Sequence, residues 1–144
     1  MIKSIFHIII IAFFLTSCNG QNVEKDKLTN KTLKTNMTDS NFESIIKKIK
    51  TSDIYENPNN WKARGLNPSE QSVILILRKA TNDFLKKLEK IYNSKESSET
   101  KLKQVSNIVD ELPWDELDTE EKEFIAEELA PAIQASGFDP WTIF

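Results

Sequence analysis

The chain is short of the residues on which most site chemistry is built. It has one histidine, His7, one cysteine, Cys18, and three glycines in 144 residues. A single cysteine forms no intrachain disulfide, so packing alone must hold the fold, even in an oxidising compartment. Gly20, Gly65 and Gly137 lie too far apart to build a phosphate-cradling loop. Positive charge is not in excess either. Without residues 1–17 the chain has 18 Lys and Arg against 22 Asp and Glu, a net charge of −4. That balance argues against a general binder of nucleic acid or anionic lipid.

Residues 1–17 have the three parts of an export signal: Lys3 at the start, an apolar run from Ile5 to Leu15, and small residues before a cut. The run is too short to cross a bilayer, which takes about 20 apolar residues. Leu15-Thr16-Ser17-Cys18 resembles the recognition box of bacterial lipoproteins. In that family the Cys thiol takes a diacylglyceryl group and the signal is cut in front of it. The resemblance implies a mature chain that begins at an acylated Cys18, carries palmitate-type chains and partners membrane lipid through them. Each buried CH₂ adds about 0.8 kcal/mol, so two or three chains hold far more firmly than one. The expected place is the cell envelope, at the outer membrane, on a side the sequence leaves open. Removal of the signal takes His7 with it. Ser–His and Cys–His nucleophile pairs, and zinc sites built on His or Cys, are then excluded.

Residues 18–38 are polar, with almost nothing apolar, and read as a flexible tether. Twenty such residues span about 25 Å as a coil and about 70 Å stretched. Residues 39–144 read as one all-α domain, a small four-helix bundle. Ser40 and Glu43 suggest a capping box, followed by Phe42, Ile45, Ile46 and Ile49 on one face. Residues 52–67 read as an irregular connection pinned by Ile54, Tyr55 and Trp61. Asn67-Pro68 is the expected start of a long helix over 68–93, its apolar run Val73–Leu77 making the first half the most buried element. A third helix runs to about Leu112, with Leu102, Val105, Ile108, Val109 and Leu112 inward, until Pro113 stops it. Asp118 and Glu121 form a second capping box, Pro131 is expected to bend or split the last helix near Ala130, and Gly137 to end it. Residues 138–144 are too apolar for solvent and are expected to fold back.

Carboxylates are the one concentrated feature. From Asp110 to Leu129 there are ten acids against Lys122 alone, whereas residues 42–109 carry a net +5. Acids near a helix start are favoured by its dipole, so part of this run is ordinary solvated surface. The rest marks a candidate docking face for a basic partner: Asp115, Glu116, Asp118, Glu120, Glu121 and Glu123, with Trp114 beside them. A calcium loop from Asp110 to Glu121 fails, because Leu112 and Trp114 occupy ligand positions and Asp115 the required glycine. Trp61, Trp114 and Trp141 each sit in or beside a link, where a ring with one N–H suits the rim of a bundle or a contact surface.

The stretch from Glu111-Leu112-Pro113-Trp114-Asp115 through Phe124-Ile125 to Gly137-Phe138 resembles a family of small bacterial proteins catalogued only as a domain of unknown function. That resemblance, over residues 65–138, implies a compact helical domain and assigns no activity and no site residue. Three function classes follow. The favoured one is an anchored protein-interaction module, of an immunity or adaptor type, with no cofactor and no nucleic acid. The rivals are a cell-wall hydrolase using a carboxylate pair, and a structural spacer.

Overall fold

Every regular element is helical in the computed structural model, which describes residues 39–144; no strand occurs among them. The expected signal, Cys18 and tether lie outside the described residues. Five α-helices follow one another: α1 over 39–51, α2 Pro58–Ala63, α3 Gln71–Tyr92, α4 Ser98–Asp110 and α5 Thr119–Ala135. Short 3-10 turns cover Trp114–Glu116 and Pro140–Thr142. The domain is all-α, with one short helix more than the four expected.

The extra helix is α2, inside the connection expected to be irregular. Asn57 caps it, its side chain accepting from the Asn59 N–H at 3.1 Å, and Pro58 takes the first helical position. The same Asn-Pro chemistry does not start α3. Residues 66–70 belong to no regular element, the Ser69 hydroxyl donates to Glu121 on α5, and Glu70, with extended backbone, becomes the N-cap without a side-chain cap bond. Nor does Ser40 cap α1, because residues 39 and 40 are already helical. Asp39 accepts instead from the Tyr92 hydroxyl at 2.6 Å, while Phe42 stacks on the Tyr92 ring at 4.0 Å.

All five helices contribute to one core, with Val105, Ile108 and Val109 coming from α4. Phe124 of α5 is fully buried, with the rings of Tyr55 and Trp61 edge-on at 5.2 and 4.7 Å. Trp61 is therefore core rather than rim, and its indole N–H donates to the Tyr55 carbonyl at 2.8 Å. The burial of α3 is the reverse of the expectation. Leu75 is 60 % exposed and Val73 and Ile76 only half-buried, whereas Phe84, Leu85 and Leu88 are sealed. An apolar run covers all sides of a helix, but neighbours cover only one. α4 returns antiparallel on α3, with Lys101 near its start donating to the Tyr92 carbonyl and Glu111 just past its end pairing with Lys87. It ends at Asp110, and Leu102, expected inward, is 40 % exposed.

The Asp118–Glu121 capping box of α5 is present in both directions. Pro131 does not split the helix, which runs unbroken from Thr119 to Ala135. Pro131 and Glu127 are both exposed, so water can satisfy the Glu127 carbonyl that the proline leaves without an N–H. Gly137, at φ +97°, takes the left-handed position that ends α5, with the Phe138 N–H reaching back to the Ile133 carbonyl. The segment beyond does fold back: Pro140 is buried, and Phe138 and Ile143 pack on the core.

Candidate functional site

The acidic run does not form one surface. Asp118 and Glu121 belong to the fold. Glu121 is only 6 % exposed; its carboxylate accepts from the Asp118 N–H at 2.9 Å and the Ser69 hydroxyl at 2.5 Å, which joins α5 to the segment before α3. Asp118 accepts from the Glu121 N–H at 2.8 Å. Glu121 has both carboxylate oxygens engaged, whereas Asp118 is exposed with one oxygen held by the cap.

Of the remaining candidates, Glu116 falls in one groove and Glu120 and Glu123 in another. Glu116 lines the first, of about 480 Å³, between α3 and the end of α4. Its apolar lining includes Ile76, Ala80 and Leu112, and two ion pairs cross it, Lys79 with Asp83 at 2.9 Å and Lys87 with Glu111, while Glu116 enters none among the described residues. Asp115 lies in the adjoining 3-10 turn, exposed, and lines neither groove. Trp114 is half-buried beside it, its indole N–H donating to the Val109 carbonyl at 2.9 Å.

Glu120 and Glu123 line the second groove, of about 540 Å³, together with Glu127. Positions 120, 123 and 127 fall on one face of a helix, spread over about 10 Å of its length. Ile125 and Leu129 carry the opposite face into the core, and Phe124 lies fully buried beside the three carboxylates, which are exposed. Asn60, Arg64 and Leu66 close the far side. The Arg64 guanidinium lies 4.0 Å from the centre of the Phe124 ring and pairs with Glu127. Glu120 and Glu123 enter no ion pair among the described residues.

Glu127, Asn60 and Arg64 were not among the residues singled out from sequence. The spacing of Glu127 was readable there. The placing of Arg64, 63 residues away along the chain, was not.

A second polar cluster lies under the α1–α2 connection. Arg78 donates to both oxygens of Glu56, at 2.8 and 2.6 Å, and to the Ser52 carbonyl at 2.7 Å, with the Tyr55 ring 5.2 Å away. Its hydrogen bonds hold the Glu56 carboxyl below its ordinary range. Glu128, half-buried on α5, is pushed the other way by loss of water, a push that Arg78 and Arg64 oppose. Glu128 lines neither groove. Among the described residues no three His, Cys, Asp or Glu side chains come together as a metal site, and no helix is long and apolar enough to cross a membrane.

No family model, no curated protein and no solved structure matches this chain. No residue role is carried in from a relative, and geometry alone defines the candidate: the groove of Glu120, Glu123 and Glu127.

Proposed function

We propose that the chain is a lipid-anchored envelope protein whose helical domain is a protein-interaction module. Acyl chains on Cys18 hold it to a membrane, residues 19–38 give it reach, and the α5 groove takes a basic segment of another envelope protein. A toxin-neutralising or an adaptor role are concrete forms of that activity.

The observation that carries the reading is Glu120 and Glu123, exposed, adjacent and without an ion pair, on the wall of a groove whose one cation is already engaged. The seating of Arg64 supports it further, since an aromatic face and a carboxylate there already accept a guanidinium. Clustered charge of this kind raises association rates and discriminates among partners. The test is recovery of partners on the tagged, anchored chain at low and high salt, beside the Glu120→Lys/Glu123→Lys chain. Loss of a basic protein in both the high-salt and the doubly reversed samples is the expected result. A partner set unchanged by either removes the electrostatic reading.

A further inference from the structure

An aromatic edge, whose rings line neither groove, stands on the surface. Trp141 is 67 % exposed and Phe144 39 %, and the Phe144 ring meets the half-buried Trp114 edge-on at 6.4 Å. Single exposed apolar side chains are ordinary; here an open indole is followed three residues later by a second exposed ring, Phe144. The fold holds it out. The 3-10 turn Pro140–Thr142 is anchored by the buried Pro140 beneath it and by the Asp139 carboxylate, which accepts from the Trp141 N–H at 3.1 Å. Residues 140–144 carry no charged side chain.

We infer that this edge rests in the interfacial layer of the membrane to which the chain is anchored, with Trp141 as the inserted ring. The inference depends on the lipid-anchor part of the proposed function. Trp belongs to the headgroup level because one part of the ring is apolar and its N–H still finds water or a headgroup acceptor. The absence of basic residues in 140–144 makes the contact aromatic rather than electrostatic, so neutral lipid suffices. One indole and one phenyl ring are too little to bind a bilayer from solution. A short tether changes that, because it keeps the domain at an effective concentration on the order of millimolar over the surface. Twenty residues span about 25 Å as a coil, a length that would leave the domain within touching distance. Seated in this way, the domain presents its other faces to partners in a restricted set of orientations.

The test uses the chain processed in cells with its own signal, reconstituted into phosphatidylcholine vesicles, with and without brominated acyl chains. Tryptophan emission is compared with that of the Trp141→Phe chain, which keeps a ring at the position. Bromine should remove most of the emission that separates the two chains and leave the Trp141→Phe spectrum largely unchanged. If the chain floats with the vesicles and the Trp141 emission is the same in both lipids, the inference falls and the anchor stands. If the chain does not float, the anchor reading falls and takes this inference with it. Emission that bromine leaves alone but an added protein shifts reassigns the edge to protein binding and overturns the membrane contact.

Discussion

The Tyr55 and Thr81 hydroxyls are 2.9 Å apart in a part of the core that water does not reach. Tyr55 belongs to the connection after α1, Thr81 to the middle of α3, so this bond fixes the connection against the longest helix. Burial pushes the Tyr55 phenol above its ordinary range, and it stays protonated and able to donate at any physiological pH. Removing one partner strands the other. Tyr55→Phe or Thr81→Val should each cost about 1–3 kcal/mol in urea unfolding, and the double variant less than the sum. Additive losses would mean the two hydroxyls act separately.

Two glutamates two positions apart should behave in opposite ways. Glu121 is buried and holds both the α5 cap and Ser69, so Glu121→Ala should destabilise by about 1–3 kcal/mol. Glu123 is exposed and touches no cation, so Glu123→Ala should fall within about 0.5 kcal/mol of the parent. Thermal unfolding of both at one pH makes the comparison, and equal losses would contradict the division of the acidic run into fold and surface.

Glu128 gives a pH signature. Loss of water raises its folded-state pKa, so the native state favours the protonated form. Its contribution is therefore complete below the pKa of the unfolded chain and is lost as pH rises through the folded one. Glu56, lowered by its bonds to Arg78, works in the opposite sense and loses its contribution as pH falls. Glu128→Gln should then gain stability relative to the parent as pH is raised from acid to neutral. Glu56→Gln should lose it over the same interval. Melting temperatures across that range check both signs, and parallel curves for the three chains would contradict them.

Anchoring has its own variant. Cys18→Ala removes the only thiol that could be acylated. The protein is expected to leave the membrane fraction or to accumulate with its signal uncut. Normal cutting with continued membrane attachment would contradict the lipid anchor.

Helix class and the last capping box were legible because they rest on local spacing: apolar residues three and four apart, and Asp118 followed by Glu121. Asn57-Pro58 was equally local, yet its helix is one of six residues with a single buried side chain, too short for periodicity to register. Asn67-Pro68 misled because a long-range bond, Ser69 to Glu121, outweighs the local start signal. The grooves were illegible for a related reason. Charge counts fall along the chain, whereas the partition of Glu116 from Glu120 and Glu123 depends on which neighbours α3 and α2 bring up. Trp61, Trp114 and Trp141 look alike in sequence and end as core, half-buried prop and open ring.

The central claim, that the exposed carboxylates of α5 recognise a basic partner, is tested most directly by the dissociation constant of a recovered partner measured against salt. The account predicts that affinity falls steadily as salt rises and that Glu120→Lys/Glu123→Lys weakens it by roughly tenfold or more, about 1.4 kcal/mol, at low salt. A dissociation constant indifferent to salt and to both reversals would contradict it.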